Sequence, residues 1–293
     1  MTSSPSPSAW TAAEVLRAPA KLNLCLRLGP VRAGGLHELC SLFVSLALAD
    51  RIVVSEAEGS SDEVVCPDVA GPNLVAAALE ALRARGWEAP PVRVEVEKRI
   101  PVAAGLGGGS ADAAAVLRHL APGRDDLGEI AAGLGADVPS QLDPGLALVS
   151  GAGEVVEPLA EPAEFAVVLV PFAAGLGTAR VYEEADRLGL GRDDDELAAA
   201  AAGLRSAATQ GASPLEYAEL LENDLQGAAL SLRPEIAEAL SALEEVGAHK
   251  ALVTGSGPTA FGLFSDIAAA DRAAAALPPR FAAAIVSSPQ RFL

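Results

Sequence analysis

The segment Pro101–Asp112, P-V-A-A-G-L-G-G-G-S-A-D, constrains what this chain can fold into more than any other stretch. Before it, Val92, Val94 and Val96 alternate with Arg93, Glu95 and Glu97, the period of a half-buried strand. After it, an alanine-rich run to Leu120 reads as a helix beginning at Ser110. Four glycines in five positions leave main-chain N–H groups open to an anion, and a helix N-terminus adds positive partial charge. The backbone is built to wrap phosphate, so the chain is expected to handle a nucleotide. Two common nucleotide loops do not fit. No lysine follows Gly109, as a P-loop requires, and Ser110 stands where the dinucleotide fingerprint needs its third glycine. On this segment alone, a plain glycine turn is the alternative.

Charge narrows the partners. With 39 acidic against 21 basic residues, the net charge of −18 repels a nucleic-acid backbone and an anionic membrane surface. A small-molecule substrate is the partner this leaves, with no nucleic acid and no membrane, and nothing in the sequence specifies an oligomeric state. Cys25, Cys40 and Cys66 are odd in number and lack C-x-x-C spacing, so each reads as a small core residue. Residues 1–11 read as a disordered tail without an apolar signal region, and no run is long and apolar enough to span a bilayer. A cytoplasmic location is expected. At 293 residues with 51% hydrophobic but only 4% aromatic content, aliphatic packing must hold the core.

The remaining pattern is mixed. Val15–Leu28 reads as a strand broken at Pro19, with Lys21, Asn23, Cys25 and Arg27 opposite the leucines; His37–Leu48 and Arg51–Ala57 read as further extended segments. Asn73 caps a helix running to Arg85, Asp126–Gly133 is helical, and Leu146–Ser150 with Glu154–Leu159 forms a hairpin. Phe165–Pro171 is a buried strand. Helices are expected at Thr178–Leu188, Asp194–Ala208, Leu215–Leu221, Glu235–Val246 and Ile267–Leu277, and strands at Ala251–Thr254, Thr259–Phe264 and Phe281–Ser287. Hairpins among helices, without repeated βαβ units, indicate an α+β chain in two halves, residues 12–162 and 163–293.

Six motifs stand in order: P-A-K-L-N-L at Pro19–Leu24, G-L-H-E-L at Gly35–Leu39, G-L-G-G-G-S at Gly105–Ser110, G-A-D-V-P at Gly135–Pro139, N-D-L at Asn223–Leu225 and G-S-G at Gly255–Gly257. In this the chain resembles the GHMP small-molecule kinases, most of all the branch whose acceptor is a cytidyl methylerythritol of the non-mevalonate isoprenoid pathway. The resemblance implies a two-domain fold, an N-terminal domain like ribosomal protein S5 domain 2 and a ferredoxin-like C-terminal domain, with ATP and Mg²⁺ as cofactors. It implies Asp137 as proton acceptor for the attacking hydroxyl and Lys21 beside it to steady developing charge. Asp137 as a helix N-cap ahead of Pro139 is the competing reading.

The resemblance also assigns Pro101, Val102, Ala103, Ala104, Gly105, Leu106, Gly107, Gly108, Gly109, Ser110 and Ala111 to the nucleotide, with Ser110 as a Mg²⁺ ligand. Asn23, Asn73 and Lys98 match positions lining the nucleotide pocket, although Asn73 is equally a plain helix cap. His37 and Phe43 match substrate-side positions, His37 as the hydrogen-bond partner of cytosine, and Gly255, Ser256 and Gly257 approach from the second half. His119 and His249 have no such setting. Departures gather on the cytosine side: Leu36 replaces the family tyrosine, Ser140 and Gln141 replace two phenylalanines, and Leu221 stands where some members carry a second aromatic. Other small alcohols of homoserine or mevalonate type, or a nucleotide-binding paralogue without turnover, therefore stay open at this point.

Overall fold

The computed structural model describes residues 13–290 apart from 68, 70 and 174; the expected tail at 1–11 lies outside them. The first half opens with two long strands, β1 (Glu14–Val31) and β2 (His37–Glu56), paired antiparallel along their length. The break expected at Pro19 is a register shift between Pro19 and Lys21 within one strand, since proline lacks the N–H the ladder would use. The two segments expected at 37–48 and 51–57 are likewise one strand. Next come β3 (Glu63–Val65), α1 (Leu74–Ala84), β4 (Val92–Glu97), α2 (Gly108–Leu120), α3 (Leu127–Leu134), β5 (Leu146–Gly151) and β6 (Val155–Pro158). The short β3 was not expected. Its only three residues carry too little pattern to read, and parallel pairing with β4 forms it. The sheet runs β3-β4-β2-β5-β6, with β1 also on β2.

The second half contains β7 (Ala166–Val170), α4 (Thr178–Leu188), α5 (Asp194–Ala208), α6 (Gln226–Leu232), α7 (Glu235–Glu245), β8 (Lys250–Val253), β9 (Ala260–Phe264), α8 (Ile267–Ala276) and β10 (Ile285–Ser287). Its antiparallel sheet has the order β10-β7-β9-β8, the ferredoxin-like arrangement of a split βαβ pair. The chain is thus α+β with the expected two-domain fold. Two local expectations fail. Leu215–Leu221 is not a helix; only a 3₁₀ turn at Ala218–Leu220 forms, because the residues after it are drawn out beside β1, where Leu26 N–H donates to the Glu222 carbonyl at 2.9 Å. The last strand begins at Ile285 rather than Phe281, because Pro279–Phe281 makes its own 3₁₀ turn, with Pro278 before it and Pro279 as its first residue.

Packing joins the halves. Along β7, Ala166, Val168 and Val170 face the helices α7 and α8, whereas Val167 and Leu169 face a cluster containing Leu22, Leu24 and Leu42 of the first half. Both faces are covered, which is why 165–170 reads as continuous apolar sequence rather than alternation. Asn223 adds a polar tie: its amide donates to the carbonyls of Val253 and Gly255, each at 2.7 Å, and accepts from Leu225 N–H at 2.9 Å. The buried side chain thereby fixes the turn after β8. Among the described residues no helix is long and apolar enough to cross a membrane. Replacing Asn223 by Ala leaves two buried carbonyls without a donor, so chemical denaturation should show a loss of about 1–3 kcal/mol per orphaned group.

Candidate active site

The glycine loop leaves β4 at Lys98 and returns as α2. Asp50 anchors its start, accepting from Arg99 N–H at 2.5 Å and Ile100 N–H at 2.8 Å, while Lys98 Nζ is shared between Asp50 and Asp112, the latter at 2.7 Å. Burial opposes charge on Lys98, but the two carboxylates outweigh it and raise its pKa; burial pushes Asp112 above the usual carboxylate range, against the pull of Lys98. Lys98 therefore lines the cavity beside the loop, as expected, but its ammonium is spent on two acids rather than left for a ligand.

Gly105 and Gly107 are where the loop could carry no other residue. Both have φ near +70°, at 78° and 67°, and an added Cβ would lie 2.6 Å from Gly257 O and from Lys21 Cγ respectively. The helix expected from Ser110 begins two residues earlier, at Gly108, and Gly107 at its N-cap offers no side-chain acceptor, so the first N–H groups of a 13-residue helix are open to an anion. Ala103 sits at φ 56°, a conformation costing a non-glycine residue roughly 1–2 kcal/mol. A cavity of about 340 Å³ opens beside the loop, lined by Asn73, Lys98, Pro101 through Gly109 and Ser110, together with Cys66, Leu74 and Asp112. Asn73 lines this cavity and is also the expected cap, its side chain accepting from Val75 N–H of α1 at 2.8 Å. Ala111 does not reach this cavity; its small side chain is fully buried in the core under α2. Cys66, expected in the core, is half-buried at the cavity wall.

A second cavity of about 310 Å³ shares Gly105, Gly107 and Ser110 with the first. Here Lys21 Nζ lies 3.3 Å from Asp137 Oδ2 and donates to Asn23 Oδ1 at 2.6 Å, with the Phe43 ring centroid 4.8 Å away. Lysine and aspartate 116 positions apart thus meet against the glycine loop. The Asp137 carboxylate faces Lys21 and does not cap the following 3₁₀ turn, so the capping reading falls away. Asn23 lines this second cavity rather than the first, with its N–H and amide held by Thr254 Oγ1 and Ser41 Oγ, each at 2.9 Å. Phe43 lies under Lys21 and lines this same cavity. Gly255 and Ser256 line the wall opposite; Gly257 packs behind, against Gly105.

A third cavity of about 430 Å³ continues from the second, sharing Leu39, Ala136, Ala152, Thr178 and Tyr182, and is lined by Leu36, His37 and Asp186. His37 is buried, 3.0 Å through Nδ1 from Gly29 O, and its ring centroid lies 5.4 Å from that of Tyr182. Tyr182 was missed by sequence reasoning; the signal was its place four residues after Thr178 in the first turns of α4, on the helix face that meets the cavity. Burial, with the Asp137 charge added, pushes its phenol up to about 12, so it stays neutral. Leu221 is not part of this wall, being fully buried in the core, and Ser140 and Gln141 are buried away from it. Among the described residues no group of three His, Cys, Asp or Glu side chains could hold a metal.

Family models for the GHMP kinases match twice: "GHMP kinases N terminal domain" over residues 73–142 and "GHMP kinases C terminal" over 195–283. The 4-diphosphocytidyl-2-C-methyl-D-erythritol kinase of Streptomyces coelicolor is 41% identical over 275 residues, spanning 89% of this chain and 91% of that protein. A crystal structure of 4-(cytidine 5'-diphospho)-2C-methyl-D-erythritol kinase superposes with a TM-score of 0.76 at 35% identity, covering 95% of this chain and all of that one. Homoserine kinase from Cytophaga hutchinsonii, at 18% identity and TM-score 0.69, covers 98% of this chain and 97% of that one and shares the fold. Substituting Gly107 by Ala should force Lys21 aside and cost roughly 1–2 kcal/mol for the positive φ alone. Gly109→Ala, whose Cβ meets only Leu74 Cδ1 at 3.7 Å, should cost less, and thermal melting of the two variants compares them.

Proposed function

The chain belongs to the GHMP kinase family and is a small-molecule kinase, a premise from which we propose that it moves the γ-phosphoryl group of ATP to the 2-hydroxyl of 4-diphosphocytidyl-2-C-methyl-D-erythritol, a step of isoprenoid synthesis. One observation carries the mechanism: Lys21 and Asp137 converge at 3.3 Å in the cavity that shares the glycine loop with the nucleotide cavity. Phosphoryl transfer asks the protein chiefly for positioning and charge stabilisation. The main-chain N–H groups of Gly107–Ser110, at the start of α2, hold the phosphates of the nucleotide. Asp137, one-third exposed, accepts the proton of the acceptor hydroxyl. Lys21, buried and oriented by Asn23, presents its ammonium to the charge that develops on the transferred group.

The residues fit a nucleotide-borne cation rather than a protein-built metal cage. Ser110, on the lip common to both cavities, would hold Mg²⁺, which when bound neutralises phosphate charge. On the acceptor side, His37 and Tyr182 support a base, with Leu36 as an apolar surface in place of an aromatic ring. Homoserine and mevalonate kinases share only the fold with this chain, and the intact Lys21–Asp137 pair favours turnover over a binding-only role.

ADP release from purified protein with ATP, Mg²⁺ and a panel of alcohols should be fastest with the cytidyl compound. Turnover confined to another alcohol would reassign the acceptor, and nucleotide binding without turnover would remove the kinase reading. Asp137→Asn should lower kcat by about 10²–10⁴ while sparing ATP affinity measured by calorimetry; an unchanged kcat would take Asp137 out of the mechanism. Lys21→Met should lower kcat similarly and raise KM for ATP less.

A further inference from the structure

We infer that Ser41 is a positioning residue for the transfer step: its hydroxyl fixes which end of the Asn23 amide faces Lys21, and so holds the ammonium in place. This rests on the reading of Lys21 and Asp137 as the reacting pair. An amide's oxygen and its NH₂ have nearly the same shape, so hydrogen bonds rather than packing choose between the two orientations of Asn23. Two donors stand around one end, Lys21 Nζ at 2.6 Å and Thr254 Oγ1 at 3.4 Å. The Thr254 hydroxyl accepts from Asn23 N–H at 2.9 Å, which leaves its own hydrogen for the amide. That end is the oxygen. At the other end Asn23 Nδ2 lies 2.9 Å from Ser41 Oγ. The single hydrogen of Ser41 goes to the Cys25 carbonyl at 2.5 Å, so the hydroxyl meets the amide as an acceptor.

Strand register puts the hydroxyl there. Between Asn23 and Cys25, β1 carries one residue more than its partner: Asn23 stands opposite Phe43, but Cys25 stands opposite Leu42. Such a bulge breaks the ladder locally and re-aims the groups around it. Ser41, which a regular ladder would set across from Cys25, pairs with Leu26 instead, and its side chain reaches both the Asn23 amide and the Cys25 carbonyl. Ser41 and Phe43 are two apart on β2 and share a face, so one strand supplies the ring beside Lys21 and the hydroxyl beside Asn23. Ser41 is fully buried and Asn23 almost so, which makes each partner in this network costly to lose.

The orientation of the amide sets the spacing of the reacting pair. Lys21 makes its shorter bond to Asn23 and stands 3.3 Å from Asp137 Oδ2. With the amide reversed, its NH₂ would oppose the ammonium, donor against donor, and the lysine would lean on Asp137. A carboxylate so engaged is less open to the proton of the acceptor hydroxyl, and the ammonium is drawn away from the transferred group. Were Ser41 needed only to satisfy the Cys25 carbonyl, its loss would lower stability and leave kcat alone.

A carboxylate at position 23 provides the test, because it has oxygen at both ends and needs no hydroxyl to orient it. In the wild-type chain, Ser41→Ala should lower kcat with the cytidyl compound about 10- to 100-fold and leave KM for ATP nearly unchanged. In an Asn23→Asp chain the same change should alter kcat by no more than about twofold. Lysine NMR supplies a readout free of turnover, since the chain has three lysines, Lys21, Lys98 and Lys250, and isotope-labelled lysine gives one side-chain signal for each. Ser41→Ala should move the Lys21 signal and leave those of Lys98 and Lys250, which report an intact fold; in Asn23→Asp it should leave all three. Where Asn23→Asp is too slow to assay, these signals make the comparison. Ser41→Cys, similar in size but a weak hydrogen-bonding group, replaces Ser41→Ala if that variant unfolds. An unchanged kcat or an unmoved Lys21 signal in the wild-type background, or effects equally large in both backgrounds, would overturn the inference. Failure of the kinase reading would show instead as absent turnover by the wild type with every alcohol, and the lysine signals would then decide the role of Ser41.

Discussion

The Lys21 side chain lies so close to Gly107 that a single methyl group on the loop would collide with its stem, and the rest of the site is arranged around that approach. The strand and loop are bonded there as well, Lys21 N–H donating to Leu106 O at 3.0 Å. Burying an ammonium is unfavourable unless it is paired. Asn23, Asp137 and the Phe43 ring supply that environment, and in doing so they aim the charge at the space between the loop and the G-S-G turn. One interaction thereby joins β1, the glycine loop and the segment after α3.

The second half contributes through a rigid turn. Asn223 fastens Gly255 from below, Thr259 Oγ1 donates to Ala104 O at 2.7 Å, and Asn23 N–H reaches Thr254 Oγ1. The latter two bonds cross between halves that also share an aliphatic core. The cleft is consequently not a loose gap between independent bodies. Its width is set by packed side chains on both sides, which suits chemistry that depends on position.

The two ends of the site are built from different material. The glycine-loop end is mostly backbone: glycines, a helix N-terminus and a lysine paired with two acids. The opposite end is mostly side chains, on the Leu36–His37 corner and one face of α4. Backbone geometry persists when sequence drifts, whereas a side-chain wall is rewritten by single substitutions. Homoserine and mevalonate kinases with 11–18% identity accordingly keep the fold.

The phosphate loop was legible in the linear chain because glycine content and strand-to-helix periodicity are local properties, and the α+β class followed from the same kind of pattern. Lys21 and Asp137 were legible only through motif resemblance, since no local rule links residues 116 positions apart. Their meeting, the engagement of Lys98 by Asp50 and Asp112, the place of Asn23 beside Lys21 and the burial of Leu221 were decided by tertiary structure. So was the role of Tyr182, which on the page is one aromatic in an amphipathic helix and in space is the face of a cavity. Periodicity tells which side of an element is apolar; which charges and rings share a cavity depends on how elements cross, and that is fixed only when the two halves close on their common core.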